Sequence, residues 1–225
     1  MKFKILIALG LVLSNVTVMA GYVVKQAEPM LHCISIGIND YPSRRYKLNN
    51  CVNDGKAFVK KLRLHNNKTA NDSFEGRRSF KFDSVAFYEL YNEQVTLENI
   101  IQTFKTEALS AHPDDEFIFH FGGLTFENSV TSSYIYPYLK NAIDFQNVNL
   151  DSVLTVSELA KLKNQISCYK QPIISESWYG ENFAANLLFE LFETNPLHIN
   201  SRQHNRVIIT TTGRGMIVTI AKESE

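Results

Sequence analysis

Residues 171–180 read QPIISESWYG. A proline stands at the mouth of an apolar run (Pro172, Ile173, Ile174), small and polar residues follow, and an aromatic pair leads to Gly180. Beyond the glycine, Phe183, Leu187, Leu188 and Leu191 recur at helical spacing around Ala184 and Ala185. That pattern predicts a buried strand, a tight turn and an amphipathic helix. In open α/β sheets, ligands and chemistry gather in the crevice beyond the carboxyl ends of the strands. A nucleophile presented there would be Ser177.

The rest of the chain repeats the alternation of strand and helix. Pro29 to Ile38 (PMLHCISIGI) is an apolar run suited to a central strand buried on both faces. Asn39-Asp40-Tyr41-Pro42 ends it, because proline cannot continue a ladder and Asn-Asp favours a turn. Leu48 to Leu62 carries a helix with Val52, Ala57, Val59 and Leu62 inward and lysines outward. Ser84 to Tyr91 is a second strand, and a helix over about residues 96–111 follows, with Thr96 as its N-cap and Asn99 three residues on. A third strand runs from the acidic turn at Pro113-Asp114-Asp115-Glu116 to Phe121. Leu154 to Gln165 is a helix, and Asn205 to Thr212 (NRVIITTT) a fifth strand. This order predicts an α/β fold: a mainly parallel sheet with helices on both faces, in three layers.

The motifs at the strand ends resemble those of caspase-like peptidases, the group that holds caspases, metacaspases and orthocaspases. The family opens with G-I-N-x-Y and L-x-G-C-x-N-D-A. Here Gly37-Ile38-Asn39-Asp40-Tyr41 and Leu48-Asn49-Asn50-Cys51-Val52-Asn53-Asp54-Gly55 follow that frame, with Asn50 for the usual glycine and Gly55 for the usual alanine. The third strand resembles the one that leads to the catalytic histidine in S/A-G-H-G; the present residues are Gly122-Gly123-Leu124-Thr125, so Leu124 takes the histidine's position. Tyr136-Pro137-Tyr138 echoes Y-L-x-P-x-D. The nucleophile motif D-x-C-x-x-G becomes Ser175, Ser177 and Gly180. The resemblance covers about residues 30–215 and implies the caspase-like three-layer fold. The family pattern would continue past Thr212 with a further helix and a last strand, so the C-terminal part is expected to be abbreviated and the sheet to end early.

Two hundred and twenty-five residues with 44 % apolar content suit one domain with a substantial core. Twenty-three basic and twenty-three acidic side chains leave no net charge that would attract nucleic acid or an anionic membrane surface. Lys2 and Lys4, the apolar stretch Ile5 to Leu13, and Val18-Met19-Ala20 before Gly21 read as a secretory signal peptide over residues 1–20, cleaved after Ala20. Residues 21–225 then form one domain in a secreted or periplasmic protein, without a membrane anchor. Cys33, Cys51 and Cys168 sit in element-like contexts and read as buried thiols; their odd number leaves at least one outside any disulfide within the chain. Residues 65–80 are polar and loop-like, and they hold sequons at Asn67 and Asn71.

Peptide cleavage of the family's kind requires a thiolate, a histidine to assist it and protonate the leaving amine, and donors for the oxyanion. A serine at position 177 with a leucine at position 124 supplies neither chemical group. Losing one member of such a unit costs a factor of roughly 10⁴, and losing the second adds little. Ser175 replaces the acid that in basic-specific relatives holds a substrate Arg or Lys. Glu176 faces the other side of the strand. What remains is a vestigial pocket of Ser175, Asp40, Gly123 and Gly180. His120 alternates with Ile118 and reads as a core histidine, as does His32; His65, His112, His198 and His204 lie in polar loops. Cys168 comes too early for the nucleophile turn, and Lys170 precedes the strand. Asp114-Asp115-Glu116 reads as a solvated turn, because calcium needs about six to eight oxygens. No phosphate-loop or dinucleotide fingerprint is present, and Gly213-Arg214-Gly215 is too short for one.

These residues point to an exported caspase-like pseudopeptidase that binds a peptide or protein, the partner being a caspase-like relative or a second copy in a dimer, with no metal or cofactor. The alternatives are an active caspase-type endopeptidase, or a serine-dependent hydrolase that uses Ser177 with an unidentified base.

Overall fold

The apolar runs pair into one sheet whose helices cover both faces. The structure, a computed structural model, describes residues 29–42, 46–66, 82, 84–129, 132–139, 149–178, 180–193, 206–212 and 215–221. The predicted signal peptide, both sequons, the side chain of His65, and His198 and His204 lie outside the described residues.

In chain order the strands are β1 (Met30–Gly37), β2 (Ser84–Tyr91), β3 (Glu116–Ser129), β4 (Ser132–Ile135), β5 (Leu154–Thr155), β6 (Ile173–Trp178), β7 (Arg206–Thr212) and β8 (Gly215–Ala221). The helices are α1 (Cys51–Asn66), α2 (Leu97–Ser110), α3 (Val156–Asn164) and α4 (Gly180–Glu193). The sheet order is β2-β1-β3-β6-β7-β8; every neighbouring pair is parallel except β7 with β8. The short strands β4 and β5 continue from β3 as an antiparallel extension.

Side-chain alternation divides the strands between two cores. Leu31, Cys33 and Ile118 pack with Phe58 and Leu62 of α1. Ile34, Ile36, Phe117, Phe119 and Phe121 belong to the larger core with Ile100 and Phe104 of α2, Leu159 of α3 and Phe183 of α4. The rings of Phe104 and Phe119 lie 5.3 Å apart. As the spacing predicted, α4 buries Phe183, Leu187 and Leu191. On α1, Val52 and Val59 are buried, but Ala57, expected inward, is exposed. Thr96 caps α2 through a hydrogen bond from the Asn99 amide, 3.1 Å.

Three features depart from the sequence reading. The glycine pair 122–123 does not end the third strand, because both residues stay in ladder register with β6 (Gly122 opposite Glu176, Gly123 opposite Ser177). They are glycines because neighbouring atoms come close: a Cβ on Gly123 would sit 2.8 Å from both the Phe121 ring and the Tyr41 hydroxyl, and one on Gly122 3.0 Å from Cys51 Cβ. Beyond β7 the sheet does not end. The chain turns into β8 directly, without an intervening helix, and pairs with Thr212 opposite Gly215. The acidic turn before β3 is not solvated throughout, since Asp115 is buried.

Candidate active site

Strand register decides what meets at the expected catalytic position. Gly123 lies opposite Ser177 and Leu124 opposite Trp178, so Leu124 is one step past the serine in the ladder. Leu124 is fully buried in the main core, and its amide donates to the Tyr41 hydroxyl, 2.9 Å. The residue that reaches Ser177 is Thr125, on the same face as Gly123; its hydroxyl donates to Ser177 Oγ at 3.2 Å. Ser177 Oγ is also 2.9 Å from Ser175 Oγ. The three hydroxyls form a buried chain in which each oxygen has a neutral partner. Thr125 is the member that the sequence reading omitted; alternation counted from Gly123 along an uninterrupted strand would have found it.

No base faces this chain among the described residues. Glu176 stands on the α1 side of the sheet, where burial first and then Asp54 hold its carboxyl above the usual range. Cys51, at the start of α1, has its thiol pushed up to about 11 by burial and by Glu176 and Asp54. It stays protonated at neutral pH and is no substitute nucleophile. His120 also belongs to the α1 face: its ring stacks on Phe58, with centroids 4.9 Å apart, and its Nδ1 lies 3.1 Å from Ser35 Oγ. Burial pushes its pKa down to about 4, so it is a neutral core histidine. Buried Cys168 rises to about 12 for the same reason.

Of the residues expected to line a vestigial pocket, Ser175 and Gly123 lie beside Ser177, and Gly180 is the first residue of α4. Asp40 does not join them. It sits at the outer side of β1, where its carboxylate accepts from Asn92 Nδ2 (3.1 Å) and lies 3.5 Å from Lys47 Nζ. Asn92 adopts a left-handed φ of 48° there and accepts from the amides of Asn39 and Asp40.

At the other end of the strands Glu107, which the sequence reading did not name, joins His32 and Asp115. His32 is fully buried between two carboxylates, with Nδ1 2.6 Å from Glu107 Oε2 and Nε2 3.2 Å from Asp115 Oδ2. Burial works against the imidazolium, but Glu107 and then Asp115 outweigh it and hold the pKa above the ordinary value. Burial likewise opposes the Asp115 charge, yet the amides of Met30 (2.7 Å) and His112 (2.8 Å), together with His32, hold its pKa below the ordinary value. Among the described residues no group of three or more His, Cys, Asp or Glu side chains is arranged to hold a metal ion.

A sequence profile of the caspase domain of peptidase family C14 matches residues 30–174, more than half of the chain. The chain belongs to the caspase-domain family. The match runs from β1 into β6 and stops one residue before Ser175, so membership rests on the scaffold and not on the nucleophile turn. A structural-genomics crystal structure from Geobacter sulfurreducens is similar with a TM-score of 0.50, at 13 % identity over 81 % of this chain and 72 % of that one. At that identity the likeness concerns the fold alone. No curated protein matches the sequence.

Proposed function

We propose that this caspase-domain protein is an exported pseudopeptidase: it does not cleave peptides, and it acts by binding a peptide or a caspase-like partner. The observation that carries this reading is Ser177 itself, at the expected nucleophile position: among the described residues its hydroxyl hydrogen-bonds to Ser175 and Thr125, two neutral hydroxyls. A serine hydroxyl needs a base in direct contact to lose its proton, whereas a family cysteine is already a few per cent thiolate. Leu124 offers no imidazole. The export step rests on the basic, apolar and small-residue pattern of the first twenty residues.

The purified chain and its Ser177→Ala variant are to be treated with a serine-reactive fluorophosphonate and with a pooled set of fluorogenic peptides. The expected outcome is no labelling and no turnover by either protein while both melt cooperatively. Labelling at Ser177 with turnover that the variant loses would establish a serine hydrolase instead and overturn the reading.

A further inference from the structure

The outer margin of β2 is an edge of the sheet, far from β6 and its hydroxyl chain. Its hydrogen-bonding pattern follows from its neighbour. Ile38 donates its amide to Gly122, so the even-numbered groups of β1 serve β3 and the odd-numbered ones serve β2. With Cys33 opposite Phe87, the bonded positions of β2 are 86, 88 and 90. Positions 85, 87, 89 and 91 therefore turn their N–H and C=O outward. Tyr91 conforms, since its amide donates to Gln94 Oε1 at 3.3 Å. The outward backbone groups of Val85, Phe87 and Glu89 have no partner among the described residues. Edge strands are commonly blunted by proline, bulges or lysine; β2, SVAFYELY, has none of these.

Helix α2 flanks this edge. Ile100, Phe104 and Glu107 are buried, while Asn99, Gln102, Thr103 and Thr106 form the neighbouring stripe. That stripe and the β2 side chains Tyr88 and Leu90 line a groove of about 330 Å³. None of its lining residues carries a formal charge. Both threonine hydroxyls donate to carbonyls of their own helix, leaving acceptor capacity towards the groove, and the Gln102 side chain has no hydrogen bond among the described residues.

We propose that the β2 edge and the α2 flank bind an extended peptide, added as a further strand, with uncharged side chains at the positions facing the groove. The open edge repeats its donor and acceptor every second residue, roughly 6.6 Å, a spacing that a peptide backbone matches. A charged side chain entering the groove would lose water and meet no counter-ion, which selects neutral ones. This binding does not depend on whether Ser177 is hydrolytic.

The test uses the purified chain and an array of acetylated, amidated, uncharged octapeptides, with amide hydrogen exchange on the strongest binder. Exchange at Val85, Phe87 and Glu89 slows in the complex. N-methylation of alternate peptide amides along one edge weakens binding by about tenfold, the equivalent of one or two strand hydrogen bonds. Gln102→Arg, on the helix surface, gives a similar loss. Val85→Pro does so without removing a ladder bond, because its N–H faces outward. Absence of any binder at millimolar peptide overturns the proposal. So does binding that is indifferent to N-methylation and to Gln102→Arg. A neutral oligosaccharide that binds the groove without protecting the three amides would make it a glycan site instead.

Discussion

The two ends of the sheet make opposite use of polar side chains. At the carboxyl end of β6, Ser177 hydrogen-bonds to Ser175 and Thr125 through neutral hydroxyls. At the amino end of β1, about 20 Å away along the strands, His32 is locked between Glu107 and Asp115 with both carboxylates buried. Perturbed pKa values are usually sought where chemistry happens. At His32 they mark a structural joint: strand β1, the last turn of α2 and the turn into β3 are tied through one imidazole.

Breaking the charged joint is expected to have the largest effect. His32→Leu leaves two buried carboxylates without their cation, a situation that costs about 3–5 kcal/mol. Chemical denaturation should register that loss, together with a melting point lower by about 10 °C. A loss under about 1 kcal/mol would mean that the joint is not a stabilising feature.

Next in size is the pH dependence at the charged end. His32 has a folded pKa above its ordinary 6.5, so its contribution is complete below that pH and disappears as pH rises through the folded value. Asp115 has a folded pKa below its ordinary 3.8; its contribution is complete above that pH and is lost as pH falls through the folded value. Both act between about pH 3.8 and 6.5. Thermal melts across that range should show a maximum that the His32→Leu variant lacks. An unchanged profile in the variant would assign the pH dependence to other groups.

The hydroxyl chain and the glycines beside it should respond to volume. Gly123→Ala drives a Cβ to within 2.8 Å of the Phe121 ring and the Tyr41 hydroxyl and should destabilise by about 1–3 kcal/mol. A neutral or stabilising result would mean that β3 is free to shift there. Ser177→Ala is the mildest change. It removes the middle hydroxyl of three and should lower stability by about 1 kcal/mol at every pH, measured by urea unfolding. A loss that varied with pH would reveal a titrating partner at this end.

Much of the scaffold was legible because strands and helices leave local periodic marks. The bounds Ser84–Tyr91 and the cap at Thr96 could be read from pattern and capping chemistry alone. The extension of β3 through Gly122 and Gly123 could not, because glycine signals a break unless one knows that Cys51 and Tyr41 press against the strand. The identities of Leu124 and Ser177 at the expected dyad positions were legible in the sequence. That Thr125, and not Leu124, faces the serine depended on the register between β3 and β6.

The amino-acid sequence by itself determined the order of elements, the family frame and which chemical groups stand at its key positions, since all of these are encoded locally. The tertiary structure alone decided how distant residues pair. His32 in an apolar strand required a partner, but Glu107 and Asp115 lie 75 and 83 residues away and meet it only when α2 and the β3 turn close over the sheet. The open edge of β2 likewise became visible only in the assembled sheet, because an edge is a property of strand order and not of the strand.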